Sequence, residues 1–141
     1  MKKIIYSLFL IFFYHNLFAH HPGHKIEAEV PYPTINLKLI KDSMDGYNLF
    51  IELNNFTLAP EQVGKNNKSN TGHLHLYVND IKIARVYSHW FHIPERYFNL
   101  KENLIRVTLN ANMHGGFTID GKLIEAILIN AGFNFISSST C

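Results

Sequence analysis

The chain has 141 residues, 47% of them hydrophobic and 17% charged, with a formal net charge of +2. Both excess charges are Lys2 and Lys3, so the remainder is balanced. This argues against nucleic acid or an anionic membrane surface as partner, since both demand clustered Lys and Arg. The single cysteine, Cys141, excludes an internal disulfide, so stability must come from packing, aided at most by a metal.

Met1-Lys2-Lys3 is followed by an apolar run from Ile4 to Phe13 and then Tyr14 to Ala19. A positive end, an apolar core of about 10 residues and a small residue before the cut define a secretory signal over residues 1–19. That core falls short of the roughly 20 apolar residues needed to span a bilayer, and no Cys near the cut offers a lipid anchor. The expected location is therefore periplasmic or secreted, with no membrane contact after cleavage. About 120 residues remain, enough for one domain with a real core.

Residues 20–33, with Pro31 and Pro33, read as an extended His-rich arm. Ile35, Leu37 and Leu39 alternate with polar residues, the period-two mark of a half-buried strand. Lys41–Gly46 supplies a turn, and Tyr47, Leu49, Ile51 and Leu53 line a second strand. Residues 61–72 form a polar loop. His73–Val78 and Ile81–Tyr87 are strands joined by a two-residue turn at Asn79-Asp80. Ser88–Tyr97 reads as an aromatic, irregular stretch. Ile105–Leu109, Phe117–Ile119 and Leu123–Ile129 are the last strands, the latter two joined at Asp120-Gly121, and residues 131–141 read as a frayed tail. Seven short strands and no helical apolar stripe predict an all-β chain. Its expected form is a single β-sandwich over 34–130, of immunoglobulin-like or cupredoxin-like shape.

Eight of the nine histidines lie beyond the signal, and they cluster. His20, His21 and His24 crowd the new amino terminus. His73 and His75 sit two apart on a strand, so their rings share one face roughly 7 Å apart along it, while Leu74, Leu76 and Val78 face the core. Two imidazoles so placed can tilt toward one metal, at about 2.0–2.1 Å per nitrogen. His114, between Met113 and two glycines that allow close approach, ranks as the third ligand. His92, held by the stiff Ile93-Pro94, is a further candidate beside the competing role of packing with Trp90, Phe91 and Tyr87. Cleavage after Ala19 would make His20 the first residue, able to chelate copper through its α-amine and ring; the competing reading is a floppy surface tract.

Imidazoles without clustered carboxylates disfavour Ca²⁺ and Mg²⁺, and the lack of a usable thiolate disfavours Cys-zinc and blue-copper sites. Copper is the expected ligand, with zinc as the alternative, and Met113 could add a thioether favouring Cu(I). No nucleophile–base pairing or carboxylate pair is placed for catalysis.

Gly72-His73-Leu74-His75-Leu76-Tyr77-Val78-Asn79-Asp80, Trp90-Phe91-His92-Ile93-Pro94 and Asn110-Ala111-Asn112-Met113-His114 carry a resemblance. Over roughly residues 34–129 the chain resembles a group of small exported uncharacterised bacterial proteins. These share a G-H-x-H-L-Y-V-N-G hairpin, a W-x-H-x-P loop and an N-A-N-x-H strand end. It departs from them at Asp80, where Gly is expected, and at Met113, where Asp often precedes the His. The group implies no established activity. His73-Leu74-His75 is also similar to the copper-binding strand of copper-zinc superoxide dismutases, in those two histidines only, and the amino-terminal histidine is similar to that of periplasmic copper carriers. The resulting expectation is an exported protein that carries or buffers copper and passes it to a metal-exchanging periplasmic protein. A copper-dependent redox enzyme of superoxide dismutase-like type and a metal-free interaction domain are the alternatives.

Overall fold

The computed structural model describes residues 24–131 and 134–139, and the side chains up to residue 130. The export segment, His20, His21 and Cys141 lie outside the described residues.

The strands in chain order are β1 (Lys25–Glu27), β2 (Thr34–Lys41), β3 (Tyr47–Asn54), β4 (Thr57–Leu58), β5 (Thr71–Val78) and β6 (Ile81–Val86). They continue as β7 (Trp90–Ile93), β8 (Glu102–Ala111), β9 (Gly116–Ile119), β10 (Lys122–Leu123), β11 (Glu125–Ala131) and β12 (Asn134–Ser139). Two short 3₁₀ turns, Pro60–Gln62 and Glu95–Tyr97, are the only helical pieces among the described residues. The chain is all-β, as expected.

β2, β3 and β7 form a small antiparallel sheet, and the other strands form a large one. The two close on each other as a sandwich, for a reason visible in the alternation. In the small sheet, Ile35, Leu39, Leu49, Ile51 and Ile93 point inward. They meet Leu74, Leu76, Val78, Val86, Ile105, Val107, Leu109, Phe117, Ala126 and Leu128 of the large sheet in one buried cluster. Burying such side chains stabilises by about 1.5–3 kcal/mol each, which is what holds the layers together.

β5 is central to the large sheet, antiparallel to β6 on one side and β8 on the other. The β5–β6 turn is built as expected: Asn79 and Asp80 both have positive φ, 51° and 64°, the geometry of a two-residue hairpin. Asp120 and Gly121 repeat it between β9 and β10. A bulge follows the first turn. Tyr77 pairs with Lys82 but Leu76 pairs with Ala84, so one extra residue on β6 shifts the register. At the other end, a Cβ on Gly72 would lie 1.9 Å from the Asn110 carbonyl oxygen, so only glycine lets β5 seat against β8 immediately before His73.

Four elements differ from the sequence reading. The aromatic stretch contains β7, because Phe91 and Ile93 pack inward while Trp90 and His92 point out. The last strand is divided at Ile124, whose N–H donates to Phe117 O while its carbonyl accepts from Leu109 N, so the chain steps from β9 to β8 at this residue. Within the arm, β1 runs parallel to β9, pairing Lys25 with Gly116. Where the sequence suggested a frayed tail, β12 pairs antiparallel with β11.

The arm is held twice more. The Glu27 carboxylate accepts from the Thr118 hydroxyl at 2.7 Å and from the Asp120 amide in the β9–β10 turn. The Asn70 side chain donates to Glu29 O and Pro31 O and accepts from Glu29 N, standing in for a strand partner.

Candidate metal centre

The alternation places Leu74 and Leu76 in the core, both fully buried, and turns His73 and His75 to the outer face of the large sheet. This is the division expected from the sequence. The rings are nevertheless covered: His73 is 0% and His75 8% exposed. Across the strand pairs, His73 stands opposite Asn110, and His75 lies between Thr108 on β8 and Arg85 on β6. The Tyr87 ring lies 5.6 Å from His73 and the Tyr77 ring 6.3 Å from His75, centre to centre. Gly64 N donates to Asn112 O, tying the loop after β4 to this end of the site.

The two Nε2 atoms converge to 2.9 Å. His73 Nδ1 is 3.3 Å from Asn112 Oδ1, and His75 Nδ1 is 3.5 Å from the Tyr77 hydroxyl. Lys82 Nζ reaches His75 Nε2 at 2.9 Å. These partners constrain the protons. With Asn112 accepting, His73 Nδ1 carries hydrogen and its Nε2 presents a lone pair; with Lys82 donating, His75 Nε2 presents one too. The two Nε2 atoms stand at hydrogen-bond distance, and the Lys82 ammonium is also on His75 Nε2. Such a convergence of nitrogens is a donor set.

Both imidazoles are neutral near pH 7. Burial pushes His73 down to about 4, with Arg85 and Lys82 adding to the effect against the hydrogen bond that the ring donates to Asn112. Burial and then the Lys82 ammonium push His75 down to about 3. A neutral imidazole is the form that ligates. Burial, and after it Arg85, also hold Lys82 below the usual lysine range.

The other candidates are placed as follows. His114 lies in the turn between β8 and β9, with its backbone in the left-handed region (φ 69°) and its side chain exposed. It is close enough for its charge to lower the protonation of both rings of the pair. His92 is not brought to them. It sits on the outer face of the small sheet opposite Asn48, with Nε2 3.8 Å from Asp45 Oδ2. His89 is on that sheet's side too, its Nδ1 3.0 Å from Ile51 O, at a shallow groove lined by Lys38, Phe50 and Glu52. Among the described residues no three His, Cys, Asp or Glu side chains are arranged to hold a metal ion. The site is a histidine pair with a lysine. No family model, curated protein or solved structure matches this chain.

Lys82, Arg85, Tyr87 and Asn112 were not singled out in the sequence. A hairpin register drawn from the Asn79-Asp80 turn would have placed Lys82 opposite Tyr77, but it would also have set Ala84 opposite His75. Only the bulge brings Arg85 there.

Proposed function

We propose that this protein is an exported, histidine-based copper-binding protein that carries or buffers the metal, with His73 and His75 as its paired donors. The observation that carries the reading is the 2.9 Å separation of the two Nε2 atoms. Two nitrogens each about 2.0 Å from one ion stand about 2.8 Å apart at a right angle and about 3.3 Å apart at the tetrahedral angle. The observed 2.9 Å is an ordinary hydrogen-bond distance, so a metal would replace the contact between the two rings after a small movement of each. Neutral, buried rings need lose no proton to bind, and the rigid strand pair holds them without ordering a loop. In this reading the exposed His114 ring swings in from the adjoining turn as a third donor, and the displaced Lys82 turns to solvent. A periplasmic exchange partner would take the metal through the exposed His114 side.

The test is metal analysis and electron paramagnetic resonance on protein purified without a His tag. The expected result is one Cu(II) per chain with hyperfine structure from two or more nitrogens, abolished by His73→Ala with His75→Ala. Unchanged copper stoichiometry in the double variant overturns the assignment, as does a wild-type protein that takes up no copper at micromolar concentrations.

A further inference from the structure

The outer face around the pair is positive without compensation. Lys82 and Arg85 are exposed, and Arg85 stands directly opposite His75 in the strand register. The ion pairs among the described residues join Lys41 to Glu95, His92 to Asp45, and Arg106 to Asp80 and Glu125. None involves Lys82 or Arg85. Every charge that acts on His73, His75 and Lys82 is cationic. The same face holds an orphan hydroxyl: Tyr87 Oη is buried with no hydrogen-bond partner, on the ring that packs against His73. A buried hydroxyl left unbonded costs about 1–3 kcal/mol, so it calls for an explanation. An ammonium and a guanidinium on one exposed strand face, with an unused O–H donor buried against His73, offer the donor types of an oxyanion receptor.

We propose that a small oxyanion binds on this face between Lys82 and Arg85, within reach of the Tyr87 hydroxyl, and that by taking the Lys82 ammonium it frees His75 Nε2 for metal. In the anion-free protein Lys82 occupies the lone pair a metal would use, and its charge together with that of Arg85 repels a cation. An anion removes both obstacles at once. Its two sources are a tetrahedral phosphate and a planar carboxylate, which share the acceptor chemistry and differ in charge and shape. The second half of the proposal rests on the copper reading; the first does not.

The experiment titrates metal-free full-length protein with inorganic phosphate and, separately, with formate, following backbone and side-chain resonances of residues 73–87. Copper affinity is then measured by chelator competition with and without each anion. Saturable shifts centred on Lys82, Arg85 and Tyr87 are expected with at least one anion. Copper affinity should rise by about 5- to 150-fold, the range of ordinary site coupling. Arg85→Gln should lose the anion response. Lys82→Met should bind copper more tightly than wild type and be insensitive to anion. If phosphate acts and formate does not, the receptor is for a tetrahedral dianion; the reverse assigns it to carboxylates. No saturable shift with either anion overturns the receptor. Copper bound through His73 and His75 with equal affinity in the presence and absence of anion overturns the coupling and leaves the copper reading standing. Anion binding in a protein that takes no copper removes the copper reading and leaves the receptor.

Discussion

At the scale of single residues, the feature that matters is a pair of imidazoles held neutral by their surroundings. Their folded pKa values, about 4 and about 3, lie below the unfolded value of 6.5. Folding therefore excludes protons that the unfolded chain accepts. The stability contributed by the neutral pair is fully present above pH 6.5 and is lost as pH falls through the window between 6.5 and the folded values. The loss is at most about 1.4 kcal/mol per pH unit for each ring. Positive charge on Lys82 and Arg85, which face the pair, adds to the effect by disfavouring protonation of either ring. We expect the urea midpoint of the metal-free protein to drop between pH 7 and pH 5, and His75→Asn to drop less steeply. Equal slopes for the two proteins would show that the ring is protonated as easily folded as unfolded. The sequence revealed which face the histidines occupy, because alternation fixes that. It did not reveal that they would be covered, because His73 owes its cover to Tyr87 and Asn112, which come from β6's end and a distant turn.

At the scale of elements, the β5–β6 hairpin builds the site, and its turn carries a residue ill suited to it. Asp80 adopts φ 64°, where a Cβ is disfavoured and glycine is at ease. Its ion pair with Arg106 is long, 3.8 Å, and the aspartate side chain is 81% exposed, so little is lost with it. Asp80→Gly should stabilise the protein by about 0.5–1 kcal/mol, set by turn strain against the added freedom of the unfolded chain. A lowered thermal midpoint would mean that the Arg106 pair outweighs the turn. The turn itself was legible in the sequence, since Asn and Asp tolerate the left-handed region. The bulge was not, because nothing in Ile81–Val86 marks an inserted residue. β7 was hidden for a different reason: Trp90, Phe91, His92 and Ile93 are all bulky, so the inward and outward positions do not differ enough in polarity to show alternation.

At the scale of the whole molecule, the two layers sort the histidines. His73, His75 and His114 belong to the large sheet, whereas His92 stands on the outer face of the small one, with the apolar core between. Facing sheets are separated by about 10 Å, and outward rings stand farther apart still. If copper binds at His73 and His75 as proposed, His92→Ala should therefore leave copper affinity and stoichiometry unchanged, measured in the same chelator competition as wild type. A weakened site in that variant would require a metal on the small sheet instead. The sandwich could be read from strand count and alternation. Which loop histidine would share the pair's sheet could not, because it depends on which sheet each connecting strand enters.

The parallel pairing of β1 with β9 has a consequence for how the molecule comes into being. Lys25 finds its partner in Gly116, so the first strand to leave any synthesising or exporting machinery waits for a segment about ninety residues behind it. Until then its backbone amides and the Glu27 carboxylate have only water to bond, and the large sheet lacks the edge that β1 covers. A chain made from its amino terminus thus cannot close this edge of the sheet until Gly116 has emerged. Contacts of such long sequence separation also make for slow folding. The β1–β9 edge is therefore among the last parts of the large sheet that the growing chain can close.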